Sequence, residues 1–249
     1  MTSGTSTGEL TRELDVQRRA WDERPLVRAL YRDWYARMAA LLADGDGPTV
    51  EIGAGIGTLK EVIPDVIATD VQATPWTDRV VDAQELPYAN GELDNLVGVD
   101  VLHHLPRPLR FLQEARRTLR PGGRLVLLEP YGSAASTLSY RFLHHEDWDP
   151  RADPFADVAH SSDRPLDANG ALPTLLFFRR ADELRRRLPE LEIVHRERLA
   201  VLAYPLSGGF TRRPLVPERA TRRLLALERR LAPLAPALAF RCLVALQRA

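Results

Sequence analysis

Nine residues, VEIGAGIGT at positions 50–58, decide how this chain folds. Apolar residues on both sides of Glu51 give the alternation of a short buried strand. Glycines then occupy every second position, at Gly53, Gly55 and Gly57. Because glycine has no Cβ atom and tolerates positive φ, this run predicts a strand that ends in a turn where the backbone comes close to a ligand. A strand, a glycine turn and a helix together form a nucleotide-binding corner, and Glu51 places an acid beside it.

The composition indicates a balanced globular chain. Its 249 residues are 45% hydrophobic, with 34 basic and 34 acidic side chains. This balance argues against a dedicated nucleic-acid-binding protein, which needs a surplus of cations. One cysteine, Cys242, allows neither an internal disulfide nor a cysteine metal cluster. We see no signal-peptide core and no apolar run approaching about 20 residues, so we expect a cytoplasmic protein without stable membrane insertion.

The order of periodic segments predicts the fold class. Residues 1–25 are expected to be a flexible N-terminal segment, and residues 26–249 a single domain. Strands that alternate with helices predict an α/β fold whose parallel sheet is covered on both faces. We predict strands at 50–52, 66–70, 79–82, 93–101, 121–130, 191–202 and 240–246, and helices at 26–42, 108–119, 181–188 and 217–231.

Four features follow the same order as in a known family. They are E-x-G-x-G-x-G at 51–57, Asp70 at the end of the next strand, DAQELPY at 82–88, and VLHHLPRP at 101–108 with LRPGG at 119–123. This succession resembles the class I S-adenosylmethionine-dependent methyltransferases, in particular the group that acts on small molecules. The resemblance implies a Rossmann-like, doubly wound sheet of seven strands, mostly parallel with an antiparallel last strand. It also implies S-adenosylmethionine as cofactor and a small-molecule acceptor.

The cofactor site can be assigned residue by residue from this resemblance. The methionine part and the ribose would lie over the glycine turn, and Asp70 would accept hydrogen bonds from the ribose hydroxyls. Asp82 and the backbone of Ala83 would bind the adenine. Glu51 would bind N–H groups of the turn or the cofactor's ammonium. The full predicted set is Glu51, Gly53, Ala54, Gly55, Gly57, Asp70, Val71, Asp82, Ala83 and Asp100.

Some of these residues have simpler interpretations. Glu51 and Asp70 could be solvated carboxylates at strand ends. Little room remains for a helix between the second and third strands, so residues 71–79 are predicted to form a loop. Trp76 in that loop could cover the cofactor, or it could pack on the edge of the sheet.

The candidate catalytic residues are Asp100, His103 and Glu129. Substrates of open parallel sheets lie beyond the carboxyl ends of the strands, where all three are expected. Histidine titrates near neutral pH and is the usual general base. The alternative for His103 is that the VLHHL run only shapes the start of a helix.

Two stretches are expected to form a lid over the acceptor, residues 131–175 and 204–232. No metal site is expected, because the cluster His144-His145-Glu146 lacks the i, i+4 spacing of a helical metal site. That cluster could belong to the lid. The arginines of the helix at 217–231 could meet a membrane surface or an anionic substrate; we expect a solvated face instead.

The same residues bear on alternative functions. A dinucleotide fingerprint needs a third glycine where Thr58 stands, which argues against a dehydrogenase. An RNA or protein methyltransferase is disfavoured by the neutral charge and by the absence of an N/D-P-P-Y run after the fourth strand. A non-catalytic S-adenosylmethionine-binding module remains open. The protein is expected to be a monomer or a homodimer.

Overall fold

A seven-stranded sheet forms the centre of the molecule. The computed structural model describes residues 3–143, 148–158 and 168–249. The strands lie in the order β3-β2-β1-β4-β5-β7-β6. Strands β1 to β5 pair in parallel, and β7 is antiparallel to both β5 and β6. The predicted α/β sheet with an antiparallel last strand is therefore confirmed. The strands are β1 Thr49–Ile52, β2 Ile67–Asp70, β3 Arg79–Val80, β4 Leu93–Val99, β5 Leu119–Pro130, β6 Leu191–Leu199 and β7 Arg241–Arg248.

Helices connect these strands and cover the sheet. The α-helices are α1 Ser3–Glu23, α2 Pro25–Ala39, α3 Pro108–Thr118, α4 Ala134–Leu143, α5 Leu172–Thr174, α6 Ala181–Arg187, α7 Ala203–Ser207, α8 Thr221–Arg230 and α9 Ala235–Leu238. Short 3-10 turns lie at Thr58–Glu61, Leu102–His104, Glu218–Ala220 and Ala232–Leu234, and a π turn at Leu175–Arg179 follows α5. None of the helices in the described ranges combines the length and the hydropathy that crossing a bilayer requires.

Both faces of the sheet are buried, as a parallel sheet requires. Successive residues of a strand point to opposite faces, so Leu127 packs on the face that α3 covers, together with Phe111. Val126 packs on the other face with Met38 of α2. All four side chains are fully buried. The helices thus hold the carboxyl ends of the central strands in fixed positions.

The connections around β2 are short. A single 3-10 turn, Thr58–Glu61, follows the glycine turn, and Pro64 stands between it and β2. The chain from Val71 to Asp78 runs from β2 to β3 without a helix, as predicted. The short loop leaves the carboxyl ends of β1, β2 and β3 next to one another.

A helix lies within the N-terminal segment, residues 1–25, for which we expected flexibility. Residues 3–23 form α1, and Trp21 at its end is 1% exposed. The Trp21 ring is stacked on Tyr35, and its Nε1 donates a 2.9 Å hydrogen bond to Glu61. Leu14 lies two turns earlier on the same side of the helix and is also buried. The sequence pattern did not predict this buried helix face, because small polar residues occupy the start of the chain.

The region after β5 contains a helix that we did not predict. Ser133 and Ser136 exchange hydrogen bonds at the start of α4: Ser136 N donates to Ser133 Oγ at 3.0 Å, and Ser133 N donates to Ser136 Oγ at 2.9 Å. This reciprocal arrangement satisfies N–H groups that the first helical turn leaves unpaired. The paired serines were the sequence signal for the helix.

We expect Trp21→Ala to lower the free energy of unfolding by about 3–5 kcal/mol, because a large buried aromatic side chain and its hydrogen bond to Glu61 are lost. Val16→Ala is the matched control on α1, since Val16 is 38% exposed; its cost should be below about 0.5 kcal/mol. Urea denaturation measures both. Equal effects of the two substitutions would show that α1 does not pack on the domain.

Candidate functional site

The glycine turn after β1 is a tight, left-handed backbone segment. Gly53, Gly55 and Gly57 have φ values of 63°, 52° and 67°. A Cβ atom on Gly53 would lie 2.6 Å from Val101, and one on Gly57 would lie 2.7 Å from Trp76. The nearest atom to a Cβ on Gly55 would be Leu14 Cδ2, at 3.7 Å. Backbone conformation and close neighbours therefore both require glycine at positions 53 and 57, whereas at position 55 only the conformation does.

Strand β2 holds this turn in place. Ala54 N donates a 2.9 Å hydrogen bond to the carbonyl of Thr69, and Gly55 N donates a 3.0 Å bond to Asp70 Oδ2. The other carboxylate oxygen of Asp70 accepts a 3.3 Å bond from Gln72 N. Asp70 therefore fixes the turn and at the same time places a half-buried carboxylate beside it.

Glu51 is a buried acid beside the same turn. It is 3% exposed, and in the described part of the chain no donor reaches its Oε2. Burial, together with the nearby Asp70 carboxylate, raises the pKa of Glu51 to about 8. A buried acceptor without a donor is costly, and a cationic ligand group would satisfy it. The interpretation of Glu51 as a solvated carboxylate is wrong.

The residues predicted to bind the adenine lie at the ends of β2 and β3. Val71 is 58% exposed immediately after Asp70. Asp82 is exposed and accepts a 2.8 Å hydrogen bond from Gln84 N, while Ala83 is buried. Trp76 packs against the glycine turn, and Arg18 of α1 lies 5.9 Å from the centre of its ring. Helix α1 and the loop of Trp76 together cover this side of the turn.

The three candidate catalytic residues converge. Asp100 follows β4, His103 lies on the 3-10 turn Leu102–His104, and Glu129 is near the end of β5. One potential ligand atom of each lies within 4.8 Å of those of the other two. The sequence placed all three at the carboxyl edge, and the structure brings them together there.

Glu129 holds the turn after β4 and the His103 side chain in position. It is fully buried, and its Oε1 accepts hydrogen bonds from Val101 N at 3.0 Å and Leu102 N at 2.7 Å. Its Oε2 is 2.6 Å from His103 Nδ1. Both oxygens of Glu129 are thus engaged in fixing the turn after β4 and the imidazole of His103.

Asp100 is held by an arginine that sequence analysis missed. Asp100 has a φ of 56°, a left-handed conformation unusual for a residue other than glycine. Its Oδ2 forms an ion pair with Arg241, which is 3% exposed at the start of β7. Arg241 also donates to the Tyr31 hydroxyl at 3.3 Å, and its guanidinium is 5.0 Å from the centre of the Tyr204 ring. A charged residue at the head of the apolar run FRCLVAL was the available signal.

Both predicted lid stretches contact the site. Asn169 N donates a 2.9 Å hydrogen bond to the carbonyl of His103. In the second stretch, Tyr204 lies against Arg241. The cluster His144-His145-Glu146 lies outside the described residues.

Part of this site matches a known family model. Residues 50–127 match the family model described as a methyltransferase domain. The 27-O-demethylrifamycin SV methyltransferase of Amycolatopsis mediterranei is 46% identical over 54 residues, 20% of each chain. Methyltransferase GfsG of Streptomyces halstedii is 33% identical over 92 residues, which are 36% of this chain and 33% of that protein. The matched part thus spans about a fifth to a third of these curated relatives.

A solved structure supports the fold over nearly the whole chain. An S-adenosylmethionine-dependent methyltransferase from Thermotoga maritima superposes with a TM-score of 0.51 at 16% identity, covering 93% of this chain and 94% of that one. The predicted resemblance to methyltransferases is confirmed over residues 50–127, and the predicted fold over nearly the whole chain.

The buried acid gives a pH dependence that can be measured. The pKa of Glu51 lies at about 8 in the folded protein, against an ordinary value of 4.5. The folded state therefore binds more protons than the unfolded state between these values, and stability falls as the pH rises through that window, by up to about 1.4 kcal/mol per pH unit. We expect Glu51→Gln to remove this slope, as measured by urea denaturation from pH 5 to pH 8, about the interval between the two values.

The control for this titration is Glu192→Gln, which changes an exposed glutamate on β6. It should leave the slope as in the unmodified protein. A Glu51→Gln variant whose stability changes with pH as the parent's does would show that Glu51 is not a buried, protonated acid in the free protein.

Proposed function

We propose that the methyltransferase domain of this chain uses S-adenosylmethionine to methylate an oxygen, nitrogen or carbon atom of a small molecule. The feature that carries this proposal is the glycine turn held by Asp70 beside the buried Glu51. It lies within residues 50–127, which match the methyltransferase domain family.

The residues present suit this cofactor. The orphaned Oε2 of Glu51 suits the cofactor's ammonium, and the Asp70 carboxylate suits the ribose hydroxyls. Val71, Asp82 and Ala83 form the adenine side in this proposal. Bound there, S-adenosylmethionine supplies an activated methyl group on a sulfonium. Since the cofactor brings this reactivity, the protein chiefly has to orient the acceptor and exclude water.

His103 is the group we assign to proton transfer. The 2.6 Å contact with Glu129 favours the tautomer in which Nδ1 carries the hydrogen, so the lone pair of the neutral ring is on Nε2. That nitrogen can take the proton that an acceptor hydroxyl or ammonium must lose. Glu129, with both oxygens engaged, is a positioning residue in this scheme rather than the base itself.

We assign Asp100 and the residues around it to binding of the methyl acceptor, and we call them the acceptor side. The Asp100–Arg241 ion pair lies among the buried rings of Tyr31 and Trp34 and the partly buried ring of Tyr204. We assign the stretches 131–175 and 204–232 to its cover. The acceptor class we propose is a metabolite or a lipid or glycan precursor; the name of the rifamycin methyltransferase relative supports a small-molecule acceptor. We further propose a cytoplasmic monomer or homodimer that needs no nucleic acid.

We expect Gly55→Val and Asp70→Ala to weaken S-adenosylhomocysteine binding by at least about tenfold. A valine side chain would stand over the turn in a strained conformation, and alanine removes charge-assisted hydrogen bonds worth about 1.5–3 kcal/mol. Isothermal titration calorimetry measures the affinities, with exposed Asp65→Ala as the matched control. Unchanged affinity in both variants, with the fold intact by circular dichroism, would contradict the assignment of this corner.

We expect His103→Gln to reduce turnover by about 10²–10⁴-fold, which is the usual contribution of a general base. Glu129→Gln and Asp100→Asn should also slow turnover, and all three variants should still bind S-adenosylhomocysteine. Radiolabelled methyl transfer onto a panel of phenols, alcohols and amines measures the rates.

Two outcomes count against this catalytic scheme. Full rates in all three variants would place the chemistry elsewhere in the domain. Binding of S-adenosylhomocysteine without turnover on any panel compound, but with turnover on RNA or protein, would assign the domain to macromolecular acceptors.

A further inference from the structure

A strongly basic segment interrupts the balanced charge of this chain. Residues 211–237 hold seven arginines and two glutamates, an excess of five positive charges in a chain whose formal net charge is zero. We call these residues the arginine segment. They comprise the 3-10 turns Glu218–Ala220 and Ala232–Leu234, helix α8 and all but the last residue of helix α9, with their connections. No part of the cofactor site lies in them.

Helix α8 presents its arginines outward. Leu224 is buried in the core beside α2, which fixes the inner face of the helix. Arg222, Arg223, Arg229 and Arg230 are all exposed. At 100° per residue these four side chains lie on one side of the helix axis, opposite Leu224. The charged face is therefore held in place by core packing.

Among the residues that the structure describes, the positive charge of this face has no acidic partner. In the described part of the chain, these four arginines of α8 take part in no ion pair, and neither do Arg213 and Arg219. Glu228, the acid of α8, is already engaged: it accepts hydrogen bonds from the backbone N–H groups of Val201, Leu202 and Ala203 at 2.5, 2.8 and 2.8 Å. The arginine face of α8 therefore has a positive electrostatic potential that can attract an anionic partner.

Exposed leucines accompany the arginines. Leu215 is 75% exposed, Leu227 43% and Leu234 50%. Single exposed leucines are ordinary, but three of them within a segment of seven arginines combine charge with apolar side chains. A nucleic acid backbone offers partners for the arginines only, whereas an anionic bilayer offers phosphates for the arginines and an acyl boundary for the leucines.

We propose that the arginine segment docks this protein on an anionic phospholipid surface. Binding would be peripheral, by headgroup phosphates on the arginines and shallow burial of Leu215, Leu227 and Leu234. The inference goes beyond the proposed methyl transfer and does not depend on it, because vesicle binding needs neither cofactor nor acceptor.

Docking at this segment would also orient the site. The hydrogen bonds of Glu228 join α8 to the start of α7, and Tyr204 of α7 lies against Arg241 at the acceptor side. Because Glu228 lies on the face of α8 opposite the arginines, α8 would stand between the bound lipid surface and α7.

The test is sedimentation of the full-length protein with vesicles. We expect binding to vesicles of phosphatidylcholine and phosphatidylglycerol in equal parts and none to phosphatidylcholine alone. Binding should disappear at about 1 M salt, where the screening length is about 3 Å. The double variant Arg222→Gln/Arg229→Gln should bind about 30-fold more weakly, which corresponds to about 1 kcal/mol for each arginine near an anionic surface.

Two further variants complete the design. Arg185→Gln/Arg186→Gln removes the same charge from exposed positions on α6 and should bind as the parent does. Leu215→Ser/Leu227→Ser should weaken vesicle binding by about tenfold while keeping the charge. Thermal unfolding confirms that each variant is folded.

Three results would overturn the proposal. Failure of the parent protein to sediment with anionic vesicles is the first. An equal loss of binding in the α6 and α8 variants would show only general attraction by charge. Binding to a duplex RNA probe, but not to vesicles, would assign the arginine segment to nucleic acid instead.

Discussion

The site depends on one hydrogen bond between neighbouring strands, from Gly55 N to the Asp70 carboxylate. It holds a turn of positive-φ glycines at the end of β1 against the end of β2. The same bond fixes Asp70 beside the turn, next to the buried Glu51. Helix α1 and Trp76 then cover the turn from outside. A single backbone donor thus links the conformation of the turn to the position of the acid that we assign to the ribose.

A second set of polar contacts holds the residues that we assign to acceptor binding. Glu129 ties the turn after β4 to β5, and Arg241 ties Asp100 to β7. Buried charges are costly unless paired, so each of these groups has little freedom to move. The antiparallel β7 is what brings Arg241 to this edge, since its first residue lies opposite Leu199 of β6 and Pro130 of β5. The antiparallel last strand therefore has a direct consequence for the site.

Local sequence patterns predicted most of the fold and the candidate site. The glycine run, the acid at 70 and the residues at 100, 103 and 129 could be placed because strand ends in a parallel sheet share one edge. Arg241 could not be assigned, since its partner Asp100 is 141 residues away and only the sheet brings them together. Helix α1 was missed because large apolar residues on its buried face are sparse: most of the residues between Leu14 and Trp21 are polar or charged. Its stability depends on packing against α2, which no local pattern reveals.

A crystal structure with S-adenosylhomocysteine tests the central claim most directly. The account predicts that the ligand lies over the turn at 53–57, with its ribose hydroxyls on Asp70 and its ammonium within hydrogen-bonding distance of Glu51. Its sulfur should face the group formed by Asp100 and His103. A ligand bound elsewhere, or a different nucleotide found over the turn, would contradict the account.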